Sequence, residues 1–245
     1  MRKLVLLAAT ALAAFGGTIT TAGATNGTPL SIIDVTGFST DGDEMAGMII
    51  LGNFSSGGNV SCVWGITGGN SGGCTGVNGL NSFTLALAGD TYTANWVLNG
   101  ITTAVGASLQ SLVFNGPAGF TVFDRTNPDT GTDGSSNGRD ANGDTNASNA
   151  KGKQPEAVNG VATYSNIVNI GANPAVTDLY AQVTIVFGGG GAGLIAGQSA
   201  EWRMDTDNIG LRGDVPGSGV PEPSTFGMVG GGLLALAAYR KRRAA

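Results

Sequence analysis

The chain has 245 residues, with 43 glycines, two cysteines and no histidine, and its formal net charge is −5 at neutral pH. The lack of histidine excludes Ser-His-Asp and Cys-His catalysis, together with every metal site that uses imidazole ligands. The acidic balance argues against nucleic acid as a partner, because phosphate backbones bind basic surfaces.

The first 24 residues have the three parts of a secretory signal peptide. Met1-Arg2-Lys3 is a basic start, residues 4–15 are apolar, and Ala22-Gly23-Ala24 is a cleavage site of the A-x-A type. We therefore predict an N-terminal signal helix, export, and cleavage by signal peptidase between Ala24 and Thr25. The alternative is a permanent N-terminal anchor, but the apolar stretch is shorter than the roughly 20 residues that span a bilayer.

Residues 25–207 are predicted to form one all-β domain, a two-sheet antiparallel β-sandwich with a jelly-roll-like strand order. Short apolar segments alternate there with clusters of Gly, Asn, Asp and Ser, which is typical of strands joined by tight turns. Alternating side chains would fill one core between the two sheets. The predicted strands are 30–38, 45–51, 60–66, 82–88, 91–98, 108–114, 120–123, 161–168, 179–187 and 200–204.

Three tryptophans and two cysteines stand out in this domain. Trp64, Trp96 and Trp202 lie in apolar segments, so we predict core positions, with an aromatic ligand site as the alternative. Cys62 and Cys74 would meet in an oxidising compartment after export, and the count is even, so we predict a disulfide. Closing this loop would stabilise the fold by roughly 3 kcal/mol. The alternative is a pair of free thiols.

Acidic residues are concentrated in the segment 124–144, and without its terminal signals the chain has six basic and sixteen acidic residues, a net charge of −10. Asp129, Asp133 and Asp140 match positions of a calcium-binding loop, but the loop lacks a ligand at its third position and Glu at its twelfth. We predict a weak calcium site at Asp129, Asp133, Asp140 and Asp144, with Asp178, Asp205 and Asp207 as further candidates and no other cofactor. The alternative is a long solvated loop.

The C-terminal segment 220–245 follows a predicted linker, residues 208–219, and has three parts in a fixed order. A Pro-Glu-Pro turn comes first, a 14-residue apolar stretch at 226–239 follows, and a basic cluster ends it. The apolar stretch can form a short helix that enters the bilayer, and the basic cluster would hold its end on the cytoplasmic side. The sorting motif comprises Val220, Pro221, Glu222, Pro223, Ser224 and Thr225, and the basic stop comprises Arg240, Lys241, Arg242 and Arg243.

This segment resembles the PEP-CTERM sorting signal of Gram-negative bacteria. The resemblance implies a protein held transiently in the inner membrane by its C-terminal helix, cut near Pro221-Glu222-Pro223 by an exosortase, and then released to the outer surface or the exterior. A plain C-terminal membrane anchor remains the alternative.

The domain itself resembles, more loosely, a β-rich domain that is common among PEP-CTERM surface proteins. The segments that carry the resemblance are 120–124, 134–139, 164–166, 178–180 and 203–207. It implies a β fold and no particular activity. We therefore expect a non-enzymatic exported surface or extracellular-matrix protein, with exopolysaccharide or cell-surface matrix as its candidate partner. The alternatives are a carbohydrate-active enzyme that uses an Asp/Glu pair and a permanently membrane-anchored binding module.

Overall fold

The computed structural model describes residues 19–25, 29–125, 138–141, 160–170, 178–188 and 192–209, with side chains from residue 29 onwards. Strands dominate this part of the chain, and a single 3₁₀ turn covers Pro117–Gly119. The strands are β1 (Ile19–Thr25), β2 (Leu30–Ile32), β3 (Val35–Gly37), β4 (Ile49–Phe54), β5 (Val60–Val63), β6 (Gly65–Gly68), β7 (Ser71–Asn78), β8 (Asn81–Ala88), β9 (Trp96–Thr102), β10 (Leu109–Asn115), β11 (Thr121–Asp124), β12 (Gly160–Ile170), β13 (Leu179–Phe187), β14 (Ala200–Trp202) and β15 (Asp205–Ile209).

The strands form two sheets that share one core, so the predicted two-sheet sandwich is confirmed. The large sheet has ten strands, seven of them in the order β3-β15-β11-β13-β10-β4-β5. The other three join through β12, which also pairs with β13 and in turn pairs with β1 and β2. The small sheet has five strands in the order β14-β9-β8-β7-β6. Alternating buried positions fill the space between them, which is the usual way for packed sheets to bury apolar area. The core includes Ile50, Phe114 and Val183 from the large sheet and Phe83, Leu85 and Leu98 from the small sheet.

Two details of the topology differ from a fully antiparallel jelly roll. The pairings of β12 with β1 and with β2 are parallel, so the large sheet is mixed at this edge. In the small sheet, β6 to β9 pair in chain order as a meander, whereas the Greek keys of a jelly roll return the fourth strand beside the first. The predicted jelly-roll-like order is therefore not found in this sheet.

Strand boundaries follow the prediction where apolar residues alternate, and they depart from it where polar side chains fold the backbone locally. Strand β13 matches the predicted 179–187. The predicted strand 91–98 instead begins as a turn, because the Asp90 carboxylate accepts a hydrogen bond from the Tyr92 amide at 2.7 Å and its carbonyl accepts one from the Ala94 amide at 2.8 Å. Aspartate favours such turns for this reason.

Strands β7 and β15 were missed because their composition is typical of loops. Strand β7 contains three glycines, yet all eight of its residues pair with β8. Strand β15 reads Asp-Thr-Asp-Asn-Ile and extends through the buried Ile209, two residues beyond the predicted end of the domain. In both cases the pairing partner, and not the intrinsic preference of the residues, determines the structure.

The chain passes from the large sheet to the small sheet at Trp64, between β5 and β6. The Trp64 ring is buried, and its Nε1 donates a hydrogen bond to the Gly42 carbonyl at 2.7 Å. Gly72 lies against this contact, where a Cβ would overlap both the Gly42 oxygen and Trp64 Nε1. Trp96 and Trp202 are also buried, which confirms the predicted core positions of all three tryptophans.

A disulfide joins Cys62 in β5 to Cys74 in β7, as predicted. These strands belong to different sheets, so the bond links the two layers of the sandwich, and the Cα atoms lie 5.7 Å apart. The loop that it closes contains the crossing at Trp64. The bond therefore holds the two layers together at the point where the chain changes sheet.

The double substitution Cys62→Ser with Cys74→Ser should lower the free energy of unfolding by about 2–3 kcal/mol, because it removes the constraint on the unfolded chain. Urea titration at fixed pH measures this loss. Alkylation of the wild-type protein without reduction should label neither cysteine. Quantitative labelling of both would show that the bond does not form in the exported protein.

The structure bears on the predicted N-terminal processing. Residues 1–18, which include the apolar part of the predicted signal helix, lie outside the described residues, whereas Ala22 and Ala24 of the predicted cleavage site lie in β1. Strand β1 pairs with the edge of β12 from Ile19 opposite Gly160 to Thr25 opposite Ser165. Cleavage after Ala24 would remove all of β1 except Thr25.

Cleavage after Ala24 should therefore leave the 160–165 edge of β12 without its partner strand. We expect the amides of this segment that face β1 to exchange with solvent faster in the mature protein than in the uncleaved precursor. Intact mass identifies the cleaved bond, and hydrogen exchange followed by mass spectrometry reports the segment, with β13 as an internal reference. Equal protection of 160–165 in both forms would contradict this expectation.

Candidate metal centre

Three aspartates share one face of the large sheet where β11 and β15 run side by side. The antiparallel register places Asp124 opposite Asp205 and Val122 opposite Asp207. Residues opposite one another in such a pair have their side chains on the same face, and so do residues two apart along a strand. The two strands therefore bring Asp124, Asp205 and Asp207 together, although Asp124 and Asp205 are 81 positions apart in the sequence.

These three side chains form a compact, buried carboxylate cluster. One oxygen from each lies within 4.8 Å of the others, and the exposed fractions of the residues are 2%, 1% and 0%. Like charges opposite one another in a sheet are destabilising, and burial increases the cost. The arrangement therefore requires a compensating positive charge or a bound proton.

Asp205 shows most directly what it costs to bury a carboxylate in this cluster. Its Oδ1 accepts hydrogen bonds from the Thr91 hydroxyl at 2.7 Å and from the Thr206 amide at 2.9 Å. Its Oδ2 is buried and has no hydrogen-bond partner among the described residues. Burial raises the pKa of Asp205 to about 7, although the bonds from Thr91 and Thr206 act in the opposite direction.

A short segment, residues 138–141, closes the site at the ends of the two strands. The Arg139 amide donates to the Asp124 carbonyl at 3.1 Å, and the Asp205 amide donates to the Arg139 carbonyl at 3.0 Å. Gly138 lies directly against the Asp124 carboxylate, where a Cβ would overlap the oxygens. A glycine is therefore required at this position by the close approach of the backbone to the cluster.

Arg139 also contributes positive charge. Its guanidinium lies over the Tyr92 ring at 4.4 Å from the centroid, which fixes its position by a cation–π contact. The charge of Arg139 lowers the pKa of Asp205, whereas Asp90 raises it. Counted over these four groups alone, one arginine offsets one of three carboxylates, which leaves two negative charges when all three are ionised.

The predicted calcium ligands lie in different places. Asp140 is directed to Arg125, whose Nε donates to its Oδ1 at 2.9 Å, whereas Asp129, Asp133 and Asp144 lie outside the described residues. Asp178 is buried but does not belong to the cluster. Asp205 and Asp207 were among the further candidates, and Asp124 is the first residue of the acidic segment 124–144. The pairing of β11 with β15 brings the three together.

The segments that carry the loose domain resemblance converge around this site. Segments 120–124 and 203–207 contain the three aspartates, and Arg139 bridges them. The Ala141 amide donates to the Tyr164 hydroxyl at 2.7 Å, and the Tyr164 and Tyr180 rings lie 5.5 Å apart. These segments are far apart in the sequence, and the strand pairing brings them side by side.

The residues of the predicted sorting motif and of the basic stop all lie outside the described residues. The chain divides into two compact units, residues 1–210 and 211–245, and the second contains these residues. In the part of the chain that the structure describes, no helix has the length and apolar character needed to cross a membrane.

Comparison with known proteins identifies the C-terminal segment. Residues 219–243 match the family model of the PEP-CTERM protein-sorting motif, which confirms the resemblance found from the sequence. No curated protein and no solved structure matches the chain. The family match covers the tail alone, so the sandwich domain has to be interpreted from its own geometry.

The raised pKa of Asp205 predicts a specific pH dependence of stability in the presence of a chelator. The folded state binds the proton more tightly than the unfolded chain, whose ordinary value is 3.8. Stability should therefore fall as the pH rises from about 4 to about 7, by at most about 1.4 kcal/mol per pH unit.

The substitution Asp205→Asn should remove this contribution while leaving the other acids in place. The difference in unfolding free energy between variant and wild type should grow in favour of the variant across this pH range. Urea titrations in EDTA at half-unit pH steps measure it. Parallel curves for the two proteins would refute the assignment.

Proposed function

The protein carries a PEP-CTERM sorting signal at its C-terminal end, and from this we propose that it is an exported surface or extracellular-matrix protein without enzymatic activity, processed by an exosortase. The signal at residues 219–243 is the observation that carries the proposal. The disulfide between the two sheets supports it, because such bonds persist in oxidising compartments outside the cytoplasm.

The composition of the tail suits a processing signal better than a permanent anchor. Its 14-residue apolar stretch would form a helix of about 21 Å, which is short of the roughly 30 Å of bilayer hydrocarbon. Tyr239 and the basic cluster can extend its reach by snorkelling to the interface. Proline disfavours regular secondary structure, so Pro221 and Pro223 would leave the Pro-Glu-Pro turn accessible to a membrane-embedded enzyme.

The geometry of the carboxylate cluster supports a non-enzymatic role for the domain. A glycosidase requires two carboxyl groups about 5–9.5 Å apart that face a sugar in an open cleft. Asp124, Asp205 and Asp207 are closer together and are exposed by at most 2%. A sugar ring cannot reach them, so the alternative of a carbohydrate-active enzyme has no support from this site.

The outer face of the small sheet supports exopolysaccharide as a partner. Hydroxyl groups lie in pairs across its strands, Thr75 with Thr84 at 3.0 Å and Ser82 with Thr102 at 2.8 Å. These side chains are uncharged and at least partly exposed. Such a surface can donate and accept hydrogen bonds with sugar hydroxyls without the repulsion that a carboxylate-rich face would impose on an acidic polymer.

Replacement of Glu222 by Ala should block tail removal, since it changes the central residue of the Pro-Glu-Pro turn. We expect full-length protein to accumulate in the membrane fraction of a host that has an exosortase. Mass spectrometry of surface protein from the wild type should find no peptides from 226–239. Their presence in most surface molecules would contradict processing.

Glu201→Ala provides the matched control, because it makes the same change in size and charge on β14 of the sandwich. This variant should be processed like the wild type. If the Glu222 variant is also released normally, the Pro-Glu-Pro turn is not what the enzyme recognises. If the wild type keeps its tail in every host tested, the permanent-anchor alternative holds.

A further inference from the structure

We propose that Asp124, Asp205 and Asp207 form a calcium-binding site that fastens β11, β15 and the segment 138–141 together. The site follows from strand register, since the pairing of β11 with β15 places the three carboxylates on one sheet face. It differs from the loop site predicted at Asp129, Asp133, Asp140 and Asp144. It also does not depend on how the tail is processed.

A buried oxygen without a partner is the observation that points to a ligand. Asp205 is 1% exposed, one of its carboxylate oxygens is held by Thr91 and Thr206, and the other has no hydrogen-bond partner among the described residues. Buried polar groups nearly always have partners, because an unsatisfied one loses its hydration without replacement. A cation bound among the three carboxylates would supply what this oxygen lacks.

The charges around the cluster fit a divalent ion. Three ionised carboxylates carry a charge of −3, and the guanidinium of Arg139, which acts electrostatically on Asp205, offsets one of them. Among these four groups a charge of −2 remains, which one divalent cation would neutralise. A monovalent ion would leave a buried negative charge, which is costly in a low-dielectric environment.

The ligand atoms and their spacing favour calcium among the divalent ions. All three ligands are carboxylate oxygens, which suit hard cations, and calcium binds oxygen at about 2.3–2.6 Å in variable geometry. Oxygens that lie within 4.8 Å of one another can all contact one ion at such distances. Magnesium requires a nearly ideal octahedron at about 2.0–2.1 Å and keeps several waters, for which a cluster buried in a sheet leaves little room.

The position of the site gives the ion a structural role. Strand β15 is the last strand that the structure describes, and it is held on one side by β11 and on the other by the short β3. Calcium would hold β11 and β15 together, because it would contact side chains of both strands. It would also stabilise the backbone hydrogen bonds that Arg139 makes with Asp124 and Asp205. The ion would thereby hold β15 in the large sheet.

Isothermal titration of the chelator-stripped exported protein with CaCl₂ tests the proposal. We expect one site with a Kd of about 10⁻⁴–10⁻³ M, as in other extracellular modules. The isosteric substitutions Asp205→Asn and Asp207→Asn should each weaken binding at least tenfold. Asp34→Asn makes the same change at an exposed position and should leave the Kd unchanged. Equal loss in all three variants, or an equal response to MgCl₂, would show screening of the net charge and overturn the site.

Hydrogen exchange of the wild-type protein locates the ion without any substitution, so the proposal can be tested even if a variant fails to fold. Calcium at 10 mM should slow exchange in 121–124 and 205–209 relative to magnesium at equal ionic strength. Protection confined to 129–144 would place the ion in the predicted loop and refute the site at the strands. Absence of any difference between the two ions would refute specific binding.

Discussion

The packing of two sheets against a continuous row of aromatic rings is the constraint on which the rest of this structure depends. Trp64 contacts Trp96 with ring centroids 5.1 Å apart, Trp96 contacts Phe114 at 5.6 Å, and Phe114 contacts Trp202 at 6.1 Å. Each such pair contributes about 0.5–1.5 kcal/mol beyond the burial of its area. Trp64 and Trp96 also donate hydrogen bonds to backbone carbonyls, so these rings fix loops as well as filling space.

This core makes the buried acidic cluster tolerable. On the strands that carry the cluster, Phe123 and Thr206 face away from the aspartates and lie in the interior, where Phe123 contacts the aromatic row at Phe114. The same two strands thus contribute stabilising apolar contacts on one face and destabilising carboxylate repulsion on the other. Natural proteins keep such costly arrangements where a ligand or a function compensates for them, which is the basis for proposing a calcium site.

Sequence reasoning predicted the all-β class, the sandwich, the disulfide and the sorting signal, because each has a local signature. Alternation in 179–187 gives β13 directly, and an even number of cysteines in an exported chain gives the Cys62–Cys74 bond. The strands β7 and β15 were not predicted, because glycine- and aspartate-rich segments become strands only when a partner strand supplies their hydrogen bonds. The predicted strand 91–98 failed for the opposite reason, because the Asp90 side chain folds its own backbone into a turn.

Asp205 and Asp207 were among the further calcium candidates, but the exact set of ligands could not be predicted from the sequence, for a related reason. Spacing along the chain suggested a contiguous calcium loop, because loop motifs are the metal sites that a linear pattern can reveal. The ligands that the structure brings together come from two strands far apart in sequence, and their proximity depends on a register that no local pattern specifies. Asp140, which matched the loop pattern, forms an ion pair with Arg125.

The disulfide and the proposed calcium site stabilise different parts of the sandwich. The disulfide holds the two sheets together where the chain crosses between them at Trp64, and the carboxylate cluster lies on the last strand that the structure describes. In a reducing compartment that is poor in calcium, the two cysteines would stay reduced and the three carboxylates would repel one another. A chain exported before it folds would therefore gain both constraints only after it leaves the cytoplasm, when the stable sandwich is required.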